Sequence, residues 1–345
     1  MSENVKKVLV CGGCGFMGSQ FIRHLHNKYP NYQIYNLDLL TYAGNPENLK
    51  DLAVSDRYHF VHGDIGDKPL IEDLMAKHKF DVVINFAAES HVDRSILNAF
   101  QFIKTNIQGA YVLLEAARHY KIPRFVYVST DEIYGDVPHG VKTDENYPLQ
   151  PTNPYAASKA AADLMVQAYI KTHRVPAVVL RSSNNYGPYQ YPEKLHSLVI
   201  TNLLEGRKVP VHGKGLHLRS WIHTQDFCNA LDLVMHKGDD YKTYNVAGEE
   251  RSNMEVIRAV AKTIGKNHDE HIEHVSDRPG ADFRYAPDHS RISKELKWER
   301  QYSYDDALRE IVAWYDNNRD WWQKIKLRGE FQDHYQKQSK GQYDL

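Results

Sequence analysis

The stretch VLVCGGCGFMGSQF, residues 8–21, constrains this chain more than any other. Its glycines Gly12, Gly15 and Gly18 recur every third residue directly after the apolar run KKVLVCG, and a helical pattern then continues to about Tyr29. A strand that turns through glycines into a helix leaves free amides at the helix N-terminus, where the helix dipole also favours negative charge. The glycines serve a tight turn, close backbone approach to a pyrophosphate, and tight packing of helix on strand. The next apolar run, YQIYNLD, ends in Asp38, twenty residues beyond Gly18. A carboxylate there can accept both hydroxyls of an adenosine ribose and repels a 2′-phosphate, and Leu39 and Leu40 after it offer no arginine. The pattern predicts a dinucleotide fold and favours NAD over NADP.

The same stretch contains a Cys-x-x-Cys pair, Cys11 and Cys14, the spacing of a redox dithiol or half a zinc site. Cys11 ends a strand, whereas a redox motif normally opens a helix with its first thiol. The nearest further ligands, His24 and His26, stand two apart on a helix and so face different ways, and Cys228 is far off in sequence. The sequence therefore predicts no metal at this loop, and Cys14 is read as a small loop residue.

Further short apolar runs follow, RYHFVHGD, FDVVINFAAE, RFVYVSTDE and VPAVVLRSS, separated by helix-length segments such as KPLIEDLMAKHK and GAYVLLEAARHY. Such strands bounded by helices predict an α/β fold, a Rossmann doubly wound parallel sheet covered on both faces. Beyond Ser183 the alternation breaks up. A smaller mixed α/β substrate-binding domain is expected there. The division expected is residues 1–182 plus about 224–246 for the nucleotide-binding domain, and about 183–223 plus 247–330 for the substrate domain. A polar tail, 331–345, is expected to be loosely ordered in its last dozen residues. Forty-three basic against 44 acidic residues give a net charge of -1, which supplies no basic field for nucleic acid or an anionic membrane. No apolar stretch approaches a membrane span or a signal peptide's core, and three cysteines make no disulfide framework, so a reducing cytoplasm is expected.

TNPYAASKAA supplies chemistry. Asn153 or Thr152 can cap a helix with Pro154 in its first turn, which puts Tyr155 and Lys159 on one face. Free tyrosine, with a pKa of about 10, is a poor base at neutral pH. An ammonium within about 4–6 Å favours the phenolate. A phenolate beside nicotinamide can take a sugar hydroxyl's proton while hydride leaves the same carbon.

At this point the chain resembles the extended short-chain dehydrogenase/reductase family, and within it the nucleotide-sugar 4,6-dehydratases of the dTDP-glucose type. The likeness runs from about residue 6 to 322 on GGCGFMGS, DLLTYAGN, FAAESHVDRS, STDEIYGD, NPYAASK, SNNYGPYQYPEKL and DRPGADFRY. The resemblance implies Thr130, Asp131, Glu132, Tyr155 and Lys159 as catalytic residues, with Glu132 the base at carbon 5 and Asp131 the acid at carbon 6. Once carbon 4 is a ketone the carbon-5 hydrogen is acidic, and the carbon-6 hydroxyl leaves only if protonated. Repulsion and burial can keep one carboxylate ionised and its neighbour protonated. Neighbours on a strand face opposite ways, so this pair requires the strand to end near Thr130.

The resemblance further implies Phe16, Met17, Asp64, Ile65, Ala87 and Ala88 at the cofactor, beside the glycines and Asp38. At the substrate it implies Asn185, Glu193, Lys194, Arg219, Asn253 and Arg278. It implies no metal, and a homodimer built on helices near 97–119 and 154–173. An epimerase or decarboxylase, or a non-catalytic NAD-binding regulator, is the alternative on this scaffold. Thr130-Asp131-Glu132 argues against the first, and the retained Tyr155, Lys159 and acid pair argue against the second. His212, Ser220, Ala281 and Phe283 depart from the dTDP pattern, and Leu39 stands where a basic residue often follows the ribose-binding acid. His212 and Ser220 look more like UDP-glucose dehydratases; the sum of the motifs favours dTDP.

Overall fold

The computed structural model describes residues 7–340. Six of its strands are the six predicted runs: β1 Lys7–Cys11, β2 Gln33–Asp38, β3 Tyr58–His62, β4 Val82–Asn85, β5 Arg124–Thr130 and β6 Ala177–Ser182. The remainder are β7 Asn184–Tyr186, β8 Val209–His212, β9 Leu218–His223, β10 Thr243–Val246, β11 Glu249–Ser252 and β12 Ile272–Val275. Seven strands form one sheet in the order β10-β6-β5-β4-β1-β2-β3, every pairing parallel.

Side chains alternate across it. Val8, Val10, Val82, Ile84, Val126 and Val128 point to one face, where Phe21, Ile22, Phe227 and Leu231 cover them. Leu9, Cys11, Val83, Phe125 and Tyr127 point to the other, under Ile71, Leu113 and Val166. Each fully buried large aliphatic chain contributes about 1.5–3 kcal/mol, which is why these strands are apolar on both sides. The strand order reverses between β1 and β4, and ligands of such sheets bind in the crevice outside the strand C-termini at that switch.

The second portion carries β11-β9-β7 and β12-β8, packed with helices Leu195–Leu204, Asn253–Ile264 and Tyr304–Asn317 around a third core. Helix Thr224–Lys237 and β10 return to the large sheet. So does residues 290–298, grouped with the substrate domain from sequence: Ile292 and Trp298 pack into the first core, and the Trp298 indole donates to the Asp226 carbonyl.

Two expectations are corrected. The helix expected near 97–119 runs without a break over 100–119, but with a π-helical stretch Ile103–Gly109 between Phe100–Phe102 and Ala110–His119, and a separate short helix Val92–Leu97 precedes it. Within the wide turns Asn106 is buried, accepting from the Glu89 amide and donating to the Glu89 carbonyl and Ser158 hydroxyl. The polar tail is helical over Gly329–Lys340, because Phe331, His334 and Gln338 fall on one face and are buried. Residues 341–345 of that tail lie outside the described residues.

Candidate active site

One cavity of about 400 Å3 runs along the strand C-termini into the second portion. Gly12, Gly15, Phe16, Met17, Gly18, Asp38, Asp64, Ile65, Ala87 and Ala88 line its first end. Gly12 has φ of +80°, and a Cβ there would sit 2.6 Å from the Ala87 nitrogen. A Cβ on Gly18 would sit 2.3 Å from the Gly12 carbonyl oxygen. No side chain fits either place, so helix Phe16–Lys28 starts with its first amides bare toward the cavity. Asp38 ends β2 with Oδ2 accepting from the Cys14 amide and Oδ1 from the Leu40 amide, both at 2.8 Å. Burial raises its pKa and those amides oppose the rise. The thiols of Cys11 and Cys14 are buried and form no disulfide, the Cys14 sulfur accepting from Asn36 Nδ2 at 3.3 Å, and burial raises both, that of Cys14 to about 12, so neither is a thiolate. The glycine reading of the loop holds.

In the middle, β5 does end at Thr130, and the chain makes a tight helical turn over Asp131–Tyr134. Thr130, Glu132, Tyr155 and Lys159 line the cavity. Asp131 is 1% exposed and sits just behind this wall, with its Oδ1 accepting from the Thr130 hydroxyl at 3.4 Å. The Thr130 side chain also hydrogen-bonds Tyr155. Burial first, then Glu132, holds the Asp131 carboxyl well above its usual range. Glu132 is raised by burial too, but Arg219, Lys194 and Arg278 pull the other way. The two neighbours therefore face unequal fields, as an acid beside a base requires.

Tyr155 opens helix Pro154–His173, whose first turn is capped by Asn153 Oδ1 accepting from the Ala156 amide at 2.9 Å. Lys159 follows one turn later on the same helix and lines the same cavity. Lys159 Nζ donates to the Val128 carbonyl at 2.7 Å and lies 4.4 Å from the Tyr127 ring centre. Burial lowers Lys159 to about 7, with Asp163 opposing. Tyr155 is raised, by burial and then by Glu132, against the Thr130 hydrogen bond. In the chain by itself the phenol is thus protonated, and the lysine serves the strand carbonyl.

At the far end Asn185, Glu193, Lys194, Arg219, Asn253 and Arg278 all line the cavity. Arg219 is fixed by donating to the carbonyls of Leu218, Phe283 and Asp282, and stacks 4.2 Å from the Tyr285 ring centre. Arg278 meets Asp93 at 3.4 Å. Asn185 Oδ1 has no partner. Lys194 Nζ donates to the Ser90 carbonyl. Of the departures, His212, Ala281 and Leu39 reach the cavity while Ser220 and Phe283 do not; Ser220 accepts from the Gly248 amide. Sequence reasoning missed Tyr42 and Arg94. The Arg94 guanidinium lies 3.7 Å from the Tyr42 ring centre and reaches Glu193 Oε2 at 3.3 Å. Their signal was present in DLLTYAGN and HVDRS, but only the fold reveals that they meet Glu193.

A family model described as GDP-mannose 4,6 dehydratase matches residues 9–311. The dTDP-glucose 4,6-dehydratase of Streptomyces niveus is 46% identical, over 93% of this chain and 96% of that protein. Among solved structures, dTDP-glucose 4,6-dehydratase from Streptomyces venezuelae with NAD and dTDP bound superposes with a TM-score of 0.89 at 42% identity, covering 93% of this chain and all of that one. The Bacillus anthracis enzyme in complex with NAD gives 0.88 at 42%, with the same coverage. Glycine cradle, acid pair and tyrosine thus sit on a scaffold shared nearly end to end, and the chain belongs to the GDP-mannose 4,6 dehydratase family, on the extended short-chain dehydrogenase/reductase fold.

Proposed function

We propose that this protein is an NAD-dependent dTDP-glucose 4,6-dehydratase, a hydro-lyase forming dTDP-4-keto-6-deoxyglucose without net redox. The observation that carries this reading is the meeting of Glu132, Thr130 and Tyr155 in the cavity that begins at the glycine cradle. NAD+, which Gly12, Gly15, Gly18 and Asp38 would hold, would supply the hydride acceptor for carbon 4 and, once reduced, the donor for carbon 6. Tyr155 takes the proton of the carbon-4 hydroxyl, with Thr130 binding the same oxygen. Glu132 removes the carbon-5 proton, and Asp131, turning its unpartnered Oδ2 from behind the wall toward the cavity, protonates the carbon-6 oxygen, which leaves as water. Glu132 then gives its proton back to carbon 5.

Per turnover Tyr155 gains one proton and Asp131 loses one. The Thr130 hydroxyl, bonded to both, is the short way to rebalance them, since Asp131 is shut off from solvent. Arg219 and Arg278 supply the charge for the diphosphate. The test is to incubate the protein with dTDP-glucose and UDP-glucose separately and measure keto-sugar, together with NAD content as purified. Expected are bound NAD and turnover of dTDP-glucose. A carbon-4 epimer as product, or protein that never holds NAD, overturns the reading.

The homodimer belongs to this proposal. Phe100, Ile103 and Leu164 are each more than half exposed, on the 92–119 segment and helix Pro154–His173. Apolar chains this exposed on two adjoining helical segments favour a second copy as their cover. Light scattering should give twice the chain mass, and Leu164→Glu should give the monomer. Three free, buried cysteines, and no described helix long and apolar enough to cross a membrane, support a cytoplasmic enzyme.

A further inference from the structure

At the sugar end of the cavity, three residues far apart in sequence come together: His91 before helix Val92–Leu97, Glu193 before helix Leu195–Leu204, and His334 on the C-terminal helix. One ligand-type atom from each lies within 4.8 Å of the other two. All three side chains are more than nine-tenths buried. Yet Nδ1 of His91, Nε2 of His334 and Oε1 of Glu193 have no hydrogen-bond partner. A buried polar atom left unpaired costs about 1–3 kcal/mol, and three such atoms on one buried cluster are a pattern that a shared ligand removes.

We propose that His91, Glu193 and His334 form a binding site for a divalent transition ion of the zinc type. Two imidazoles and one carboxylate are the donor set of open zinc sites, which leave a fourth position free. His91 and Glu193 also border the cavity, so that fourth position faces it. Zinc holds nitrogen and oxygen at about 2.0–2.2 Å, which puts tetrahedral ligands about 3.3 Å apart. The observed spread therefore closes by side-chain movement of about 1 Å.

The surroundings decide the ion's hold. Arg94 reaches Oε2 of Glu193 at 3.3 Å, the oxygen that also lies 3.8 Å from His334 Nε2, and the Tyr42 hydroxyl lies against the same carboxylate, so the ion would share this carboxylate with Arg94. Lys194 and Arg94 lie near both imidazoles, with Asp93 as a counter-charge beside His334. The opposing field sets a moderate affinity, since a dication replaces no charge there. A bound ion would pin the C-terminal helix to the loops that carry Glu193 and His91.

The experiment is calorimetric titration of the untagged holoprotein, stripped by chelator, with Zn2+ alone, and with Co2+ as a visible-absorption probe. Expected is one equivalent of either ion, with the strong visible bands of low-coordinate Co2+. His334→Gln should weaken binding by more than the roughly 10–100-fold that losing a hydrogen-bonding partner behind a ligand costs. NAD content and circular dichroism report whether that variant folds; if it does not, Glu193→Gln provides the same reading. Stoichiometric binding lost in these variants supports the site. No binding to folded holoprotein, or binding unchanged in a folded variant, overturns it.

Discussion

At the Gly12 end of the cavity the wall is backbone and small or apolar side chains, and its principal carboxylate, Asp38, is locked by two amides. At the Arg219 end the wall is cations and carboxylates, each fixed by carbonyls or by one another. The first end recognises by shape: what matters is where no Cβ can be. The second recognises by charge held at a set position, and several of its groups act through neighbours. A single methyl should therefore be ruinous at one end, while the other should fail in graded steps.

Gly18→Ala makes the strongest trial of this contrast. Its Cβ would meet the Gly12 carbonyl oxygen at 2.3 Å and the Gly13 Cα at 2.8 Å, so backbone rather than a flexible side chain would have to yield. Protein purified with this change should contain almost no NAD, read from absorbance after denaturation, and should be inactive. A variant retaining stoichiometric NAD would show that shape does not govern this end.

Glu132→Gln tests the middle. Elimination should fall by about 10²–10⁴, the usual worth of a positioned base, while oxidation at carbon 4 survives and reduced cofactor accumulates. Full-rate formation of the keto-deoxy sugar would remove Glu132 from its role.

Behind the catalytic turn, Arg181 donates to both oxygens of Asp163 at 2.9 Å and to the Tyr134 hydroxyl at 2.8 Å. Arg181→Met strands a buried carboxylate and should cost about 3–5 kcal/mol in denaturant unfolding. A loss below 1 kcal/mol would mean the pair is solvated in practice.

Thr130→Val should lower steady-state turnover by roughly 10²-fold, the lower end for a positioned proton-transfer group. Its first turnover should run faster than later ones, because Asp131 begins protonated and is not recharged. Serine at 130 should restore later turnovers. Equal slowing of every turnover would leave Thr130 a binding group only.

The smallest effect concerns acid. Burial holds His196 down at about 3 and His334 at about 4, whereas an unfolded histidine titrates near 6.5. Below that value the unfolded chain binds more protons, so stability is full above about pH 6.5 and falls as pH drops toward 4. Melting temperature measured from pH 7 to 4 should show this slope, and His334→Gln should flatten part of it.

The shape-coded end was legible because glycine spacing, a preceding strand and Asp38 are all local in sequence. So were the six sheet strands, since burial on both faces leaves an unmixed apolar run. The turn after Thr130 was legible from chemistry: two adjacent acids can serve one sugar only off a strand. What stayed hidden is what depends on distant partners. Arg94 reaching Glu193 and Lys159 reaching the Val128 carbonyl leave no mark in local spacing. The C-terminal helix was hidden by composition, because its buried face uses His334 and Gln338 beside a single phenylalanine. Gln338 donates to the Glu193 carbonyl, so a polar tail is part of the cavity wall.

The seven-residue length of β5 has a consequence for how such a chain can vary. Exchanging Val126 or Val128 for another branched aliphatic leaves every outward and inward direction as it was. Adding or deleting one residue between Arg124 and Thr130 would turn the acid-bearing bend by half a pleat and send Glu132 toward the helices instead of the sugar. The reaction is thus tied to the length of this strand as well as to Thr130 at its end, and protein engineers should keep both fixed while exchanging Val126 and Val128 among branched aliphatics.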